Sequence, residues 1–162
     1  MKTATALGLL VLLATPLWAD SHHVEVDARA DFTAFKTFVI REGRASSRNA
    51  EINNQLLLTK IQDSIRTGLT TAGLRETPNR ADLVVTFTLG EQGQRGTVGR
   101  GIRDMRVVTT SEGTLVIEML NGANLVWYGT YTDEEANPAK LARRLPEDAK
   151  KLLRQLPPNK KK

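Results

Sequence analysis

Asp20, Ser21 and His22 form a sequence that could bind Cu(II) or Ni(II) if the mature chain began at Asp20. A free amine two residues before a histidine can wrap such an ion, because the amine, two deprotonated backbone amides and the imidazole supply the planar four-nitrogen geometry that these ions prefer. A terminus shifted by one residue would destroy the arrangement. The motif therefore predicts a copper or nickel site only if the chain starts at Asp20, and the alternative is a flexible leader. No other cofactor is expected.

Residues 1–19 have the pattern of a secretory signal peptide, whose removal would create this terminus. Lys2 supplies the positive charge, the stretch from Ala4 to Ala14 is mostly apolar and carries no charge, and Ala19 is a small residue at the cleavage position. The stretch is shorter than the ~20 residues that a transmembrane helix needs. We therefore expect a periplasmic or secreted protein, without stable membrane insertion once the signal is removed.

The sequence contains no cysteine, which bears on both anchoring and catalysis. Exported lipoproteins carry their lipid on a cysteine directly after the signal, so this chain is expected to be soluble and not lipid-anchored. A cysteine nucleophile is excluded, and the only histidines, His22 and His23, lie in the predicted leader. A Ser-His-Asp or Cys-His catalytic site cannot be assembled from these residues.

Paired carboxylates are the remaining route to catalysis, because one can act as a general acid and another as a general base. The candidates are Asp82, Glu112, Glu118 and the run Asp133-Glu134-Glu135. The pattern places Asp82 at the start of a strand, Glu112 in a turn and the run in a solvated loop. A protein without enzymatic activity is therefore favoured, and a carboxylate-dependent hydrolase is the weaker alternative.

The segment Gly90–Gly101 contains five glycines among polar and basic residues, which is typical of a mobile loop or a hairpin connection. It lacks the Lys-Ser/Thr pair of a phosphate-binding loop, and it leads into a strand, whereas nucleotide-binding loops lead into a helix. Its basic side chains could instead form a contact loop for an anionic partner. These side chains are Arg95, Arg100 and Arg103.

The net charge of +5 is concentrated at the carboxyl end, where Lys160, Lys161 and Lys162 follow one another. Loss of Lys2 with the signal lowers the net charge to +4, so the body of the protein is close to neutral. Nucleic-acid-binding proteins carry a basic face, and no nucleic-acid partner is expected for this body. Residues 159–162 are expected to form a disordered basic tail that could touch an anionic envelope surface.

Hydrophobic periodicity predicts one long helix and a set of strands. The helical period runs from Asn49, the expected N-cap, to Gly73, which can adopt the left-handed conformation that ends a helix. Alternation of apolar residues predicts a short edge strand, a second strand and then four strands in an antiparallel meander. These strands cover Val24–Asp27, Lys36–Arg41, Asp82–Leu89, Met105–Thr110, Thr114–Leu120 and Leu125–Tyr131.

Two further helices are predicted near the carboxyl end. Asn137 and Pro138 provide a capping residue and the residue favoured at the first helical position. Pro146 is expected to interrupt that helix and to start a second one, which ends before Pro157.

Together these elements predict an α+β fold with a single two-layer domain over residues 20–158. A mostly antiparallel sheet of four to six strands would have one face covered by the long helix and the C-terminal helices. On the last strand, Trp127 and Tyr128 should point to opposite faces, one into the core and one towards the surface.

Several short motifs follow one another across nearly the whole chain after the signal. They are Val26-Asp27, Asp31-Phe32, Phe35-Lys36-Thr37-Phe38, Ala72-Gly73-Leu74, Ala81-Asp82-Leu83-Val84-Val85, Glu112-Gly113-Thr114-Leu115-Val116-Ile117, Leu125-Val126-Trp127-Tyr128-Gly129-Thr130 and Leu156-Pro157-Pro158. This ordered set resembles the domain of unknown function 4136 family, whose members are typically bacterial envelope proteins and often lipoproteins. The chain departs from the family pattern in lacking the lipoprotein cysteine and in having Ile40 where an aromatic residue is common.

The resemblance implies a fold and a compartment, and it supplies no catalytic residue. The predicted function is that of an exported periplasmic cell-envelope protein that acts as a non-enzymatic interaction or structural module. Its contact surface would be an exposed sheet face, an edge strand or the glycine-rich segment, and its partner an unknown envelope protein.

Overall fold

The computed structural model describes residues 21–41, 43–47, 49–90, 94–98, 106–110, 113–133 and 137–158. The predicted signal peptide, Asp20 and the basic tail 159–162 lie outside these residues. The described chain has a mixed α+β fold, in which two helices pack against one seven-stranded and mostly antiparallel sheet. This arrangement confirms the predicted fold class.

The elements occur along the chain in the following order. They are β1 (Ser21–Val26), β2 (Thr37–Ile40), β3 (Arg44–Ser46), α1 (Gln55–Thr71), β4 (Arg75–Glu76), β5 (Leu83–Gly90), β6 (Gln94–Val98), β7 (Arg106–Thr110), β8 (Thr114–Asn121), β9 (Asn124–Thr132) and α2 (Pro138–Leu153).

The main sheet has the strand order β1-β9-β8-β5-β2-β4, with β3 also paired to β5. Pairing is antiparallel from β1 through β9 and β8 to β5, and it is parallel for β2, β3 and β4. Because side chains alternate along each strand, one face of the sheet carries the apolar residues that meet the helices. The largest fully buried side chains include Trp127, Tyr131, Phe38, Phe87, Ile61, Ile65, Leu83 and Ile117.

Helix α1 begins later than the periodicity predicts. Asn54, and not Asn49, is the N-cap, since its side-chain oxygen accepts hydrogen bonds from the backbone N–H groups of Leu56 and Leu57. Asn49 closes a separate turn, in which its side chain accepts a hydrogen bond from the backbone N–H of Glu51. Asn49 and Asn54 could each cap this helix, but the side chain of Asn49 is engaged in the turn that precedes the helix.

The carboxyl end of α1 matches the prediction. Gly73 has a φ of 93°. The backbone N–H of Gly73 donates to the carbonyl of Thr70, and that of Leu74 donates to the carbonyl of Leu69. Both leucines are buried, so the hydrogen-bond pair and the apolar contact of a Schellman closure end the helix at this point.

Helix α2 is a single helix with Pro146 in its interior, so the prediction of two C-terminal helices is wrong. Asn137 caps it and Pro138 lies in its first turn, as predicted. Proline removes one backbone hydrogen bond from a helix interior. The helix continues because buried residues on both sides of the proline, including Leu141, Leu145, Ala149 and Leu152, pack on the same core.

Strand β7 lies outside the main sheet, which corrects the predicted meander. β5 pairs directly with β8, with Gly90 opposite Thr114, whereas β7 pairs antiparallel with β6 in a separate two-stranded sheet. The segment predicted as a loop over Gly90–Gly101 therefore contains strand β6. Local alternation identifies a strand but does not specify its partner, and this is why the sequence misplaces β7.

Candidate functional site

The outer edge of β1 is the clearest exposed binding element of the fold. β1 pairs antiparallel with β9 from Ser21 opposite Thr132 to Val26 opposite Trp127. Within the residues that the structure describes, β9 is the only strand that pairs with β1. The edge position predicted for this strand is therefore confirmed, and no described strand lies on its other side.

The direction of the backbone groups on β1 follows from one hydrogen bond. The backbone N–H of Asp27 donates to the carbonyl of Val126 at 3.0 Å, so Asp27 occupies a hydrogen-bonded position of the antiparallel ladder. Positions alternate along such a ladder, and His23 and Glu25 therefore also face β9. The backbone N–H and C=O groups of the intervening residues point away from the sheet. These residues are His22, Val24 and Val26.

The predicted metal residues lie at the start of this strand. Ser21 and His22 are exposed on β1, and Asp20 lies outside the described residues. The same alternation turns the amide of Ser21 towards β9 and the amide of His22 outwards. Coordination through both amides would thus compete with the first pair of the ladder. Among the described side chains, no group of three or more histidines and carboxylates could hold a metal ion.

The predicted basic contact loop lies only partly within the described residues and stays a prediction. Arg95 lies on β6, while Arg100 and Arg103 lie outside the described residues.

On the face of the sheet away from the helices, a row of side chains with polar groups crosses four strands. The register places Thr86 opposite Glu118, Glu118 opposite Tyr128, and Tyr128 opposite Glu25. The Thr86 hydroxyl donates to Glu118 Oε2 at 3.4 Å. Tyr128 is only 6% exposed, so the surface position predicted for one residue of the Trp127-Tyr128 pair is wrong, because both side chains are buried.

Burial raises the pKa of the Glu118 carboxyl above its usual 4.5, and the hydrogen bond from Thr86 offsets part of that rise. A carboxyl of this kind is easier to keep protonated in the folded state than in the unfolded chain. Glu118 therefore contributes most to stability below pH 4.5, and this contribution is lost as the pH rises through the folded pKa.

We expect Glu118→Gln to stabilise the protein relative to the wild type at pH 7, with a smaller difference at pH 4. The glutamine keeps the shape and the hydrogen-bond acceptor but cannot ionise, so the cost of the buried charge disappears. Thermal midpoints measured between pH 4 and pH 7.5 check this expectation.

Glu147→Gln is the matched control, because the exposed Glu147 has a pKa lowered by its hydrogen bond from Lys150. This variant should change stability in the opposite direction as the pH rises. A midpoint difference for Glu118→Gln that does not vary with pH would contradict the assignment.

The candidate catalytic carboxylates that the structure describes, Asp82, Glu118 and Asp133, are not brought together. Asp82 Oδ2 accepts from the backbone N–H groups of Lys36 and Thr37 at 2.8 and 2.9 Å and from the Thr37 hydroxyl at 2.9 Å. These hydrogen bonds, that from the Lys36 amide first, lower the pKa of Asp82. Its role is to fasten the beginning of β2 to the beginning of β5.

Glu118 of β8 lies opposite Thr86 of β5, which is four residues after Asp82. On its other side Glu118 lies opposite Tyr128 of β9, which is five residues before Asp133. At about 3.4 Å per strand residue, these offsets place Glu118 on the order of 14 Å from Asp82 and on the order of 17 Å from Asp133. Glu112 and the pair Glu134-Glu135 lie outside the described residues.

Asp133 is buried, which corrects its predicted place in a solvated loop. It is 4% exposed and lies 3.1 Å from Arg144 of α2. Arg144 also donates to the Tyr131 hydroxyl at 3.3 Å. Nearby on the same helix, Asp148 is 1% exposed and accepts from Lys151 at 2.8 Å.

Sequence reasoning misses Arg144 and Asp148. A usable signal is the position of Asp148, because it falls at helical spacing from Leu141, Leu145 and Leu152, where the pattern requires an apolar residue. The Arg144–Asp133 pair fixes α2 to the end of β9, whereas Asp148 and Lys151 both lie on α2. The ladder places His22 directly opposite Tyr131.

These features define a small α+β protein in which β1 is an edge strand of the described sheet. A family model described as Domain of unknown function (DUF4136) matches residues 22–158, and the chain belongs to this family. The match confirms the family resemblance of the sequence motifs. No curated protein gives a significant sequence match.

Solved structures resemble this chain to different degrees. A crystal structure of a DUF4136 family protein from Bacteroides thetaiotaomicron is 17% identical, with a TM-score of 0.60 over 84% of this chain and 92% of that chain. The PelC dodecamer from Paraburkholderia phytofirmans is 14% identical, with a TM-score of 0.44 over 83% and 97%. A minor lipoprotein from Acinetobacter baumannii is 11% identical, with a TM-score of 0.33 over 75% and 91%. Only the first likeness supports a statement about this chain, and that statement concerns the fold.

Within the described part of the chain, neither helix combines the length and apolar character needed to cross a bilayer.

Proposed function

We propose that this protein is exported to the bacterial cell envelope and acts there as a non-enzymatic interaction module that binds through the outer edge of β1. The open edge of this six-residue strand is the observation that carries the proposal. An extended partner segment can add to such an edge as a further strand, and its backbone hydrogen bonds provide the affinity.

The two edges of the sheet differ in a way that favours β1 as the contact surface. Proteins protect sheet edges with very short strands, charged side chains, prolines or bulges. At the opposite edge, β4 has only two residues, Arg75 and Glu76. β1 has six residues and contains neither lysine nor proline. The longer edge, which carries Glu25 but no lysine or proline, is thus the less protected one and is suited to pair with a partner.

Two further observations support the proposal. Residues 1–19 combine a positive charge, an uncharged apolar stretch and a small residue at position 19, as an export signal requires. The described candidate carboxylates are separated, and Asp82 and Asp133 are each engaged in a structural contact. A carboxylate-dependent hydrolase is the competing proposal, and it would need carboxylates within reach of one substrate.

The proposal is tested on protein recovered from the periplasmic fraction of an expressing bacterium. We expect an intact mass for residues 20–162, together with an alternating pattern of amide hydrogen exchange along β1 in dilute protein. The amides of His22, Val24 and Val26 should exchange faster than those of His23 and Glu25, because only the latter donate to β9.

A full-length chain retained in the cytoplasm or the membrane would contradict export. Uniformly slow exchange along β1 in dilute protein would contradict an open edge.

Copper or nickel binding at Asp20, Ser21 and His22 is a second proposal, favoured by the exposed imidazole of His22 and its outward-facing amide. This proposal also depends on the measured intact mass of the exported protein, because only a chain that begins at Asp20 has the required amine. A mass that corresponds to any other start would exclude it.

A further inference from the structure

We infer that β1 pairs antiparallel with β1 of a second copy of this chain, with the two-fold axis passing through Val24. This inference rests on the proposed function because it uses the same edge and names its partner. It joins two seven-stranded sheets into one continuous sheet across a symmetric interface.

Backbone geometry limits the possible registers. Antiparallel hydrogen-bonded pairs must join residues whose N–H and C=O groups point outwards, and on β1 these are His22, Val24 and Val26. A register centred on Val24 pairs Val24 with the second copy's Val24, and His22 with the second copy's Val26. It is the only symmetric register that engages all three outward-facing residues of both copies.

Side-chain complementarity selects the same register. With the axis at Val24, His23 lies opposite Glu25 of the second copy, in a non-hydrogen-bonded pair whose Cα atoms are about 4.5 Å apart. A two-residue slip in one direction would place His23 opposite His23, and the opposite slip would place Glu25 opposite Glu25. Each slip places identical residues opposite each other, and the two Glu25 carboxylates would repel.

The two side chains already interact within each copy. His23 Nε2 lies 3.0 Å from Glu25 Oε1, and both side chains are on the face of the sheet away from the helices. Pairing through Val24 would bring two such pairs together, so that each histidine has a carboxylate along its own strand and another across the interface. The four side chains would form a closed ring in which each imidazole lies between two carboxylates.

The other face of β1 supplies apolar contact. Val26 is 41% exposed at the edge of the core face, and Val24 packs partly against the core. In the same register Val26 lies beside His22 and Val24 of the second copy. Pairing would therefore cover an exposed apolar side chain and extend the core layer across the axis.

The test compares sedimentation of the exported protein with two variants at position 24. We expect a concentration-dependent dimer for the wild type, and at least a tenfold weaker dimer for Val24→Pro. Proline removes an N–H that points away from β9, so the intramolecular ladder remains intact. Val24→Thr is the matched control, because it keeps this N–H and should keep the dimer.

A second pair of variants tests the register. His23→Glu places carboxylates opposite Glu25 and should weaken the dimer, whereas the exchange His23→Glu with Glu25→His restores an imidazole opposite each carboxylate and should recover it. Circular dichroism of each variant verifies the fold. A dimer that Val24→Pro weakens but His23→Glu leaves unchanged would overturn the register centred on Val24.

The outcomes separate this inference from the proposed function. A chain that stays monomeric at high concentration, with fast exchange at His22, Val24 and Val26, overturns self-pairing and leaves the edge open for another partner. A dimer that is insensitive to Val24→Pro, with slow amide exchange along β1 at every concentration, overturns both the self-pairing through β1 and the proposed binding at its outer edge. Support for both is fast exchange in dilute protein that becomes slow as the dimer forms.

Discussion

Gly129→Ala is expected to lower the free energy of unfolding by about 3 kcal/mol, the upper part of the usual range for overpacking a core. Gly129 lies on the core face of β9, opposite Ile117 of β8 and Val24 of β1. A Cβ at this position would lie 2.4 Å from Trp127 Cη2 and 2.9 Å from Cζ3. Trp127 is 1% exposed, so its rigid ring has no free space to enter.

Urea denaturation followed by circular dichroism measures this loss. Thr130→Ala is the matched control, because the neighbouring side chain lies on the face of the sheet away from the helices and its truncation should cost about 1 kcal/mol or less. Trp127→Phe should reduce the cost of alanine at Gly129, since phenylalanine lacks the outer ring atoms that clash. Equal costs of Gly129→Ala with tryptophan and with phenylalanine at position 127 would show that the indole does not cause the loss.

Pro146→Ala is expected to raise the free energy of unfolding by about 2 kcal/mol. Proline in a helix interior is ~3 kcal/mol less favourable than alanine, and part of that gain is offset by lost contacts of the half-buried ring. The substitution restores an N–H that can donate to the carbonyl of Ala142, four residues earlier in α2. Thermal and urea unfolding both measure the gain.

Pro138→Ala provides the comparison within the same helix. Pro138 lies in the first turn, where the missing N–H has no partner in the helix, so its replacement should change stability by less than ~0.5 kcal/mol. A destabilising Pro146→Ala would indicate that the ring contributes more through packing than its missing hydrogen bond costs.

The sequence predicts local features of this fold well where one residue type has one structural use. Gly73 ends α1 and Asn137 caps α2, because few residues satisfy those backbone positions. Asn49 and Asn54 show the limit of such reasoning. Both can cap a helix, and only the packing of the following turns decides which of them does.

Pairing between distant segments is harder to predict than the segments themselves. Residues 106–110 form a strand as expected, but the register of β5 with β8 leaves no place for that strand in the main sheet. Pro146 shows the same limit in a helix. Its local preference is to start a helix, and the burial of Leu145 and Ala149 overrides that preference.

The candidate site is only partly visible in the sequence. The edge position of β1 follows from its short alternating pattern, but the outward direction of Val24 depends on the hydrogen bond between Asp27 and Val126. The burial of Tyr128 and Asp133 depends on what packs over them, which alternation along one strand does not encode.

The pairing of Gly90 with Thr114 has a consequence for how this family can vary. The chain leaves β5 at Gly90 and enters β8 at Thr114, and these two residues are paired with each other. The β6–β7 hairpin is therefore an insertion into a main sheet that is complete without it. Doubling the length of such an insertion costs only about 0.6 kcal/mol in loop entropy. The hairpin can thus be lengthened, shortened or replaced between relatives while the framework that presents β1 keeps its geometry.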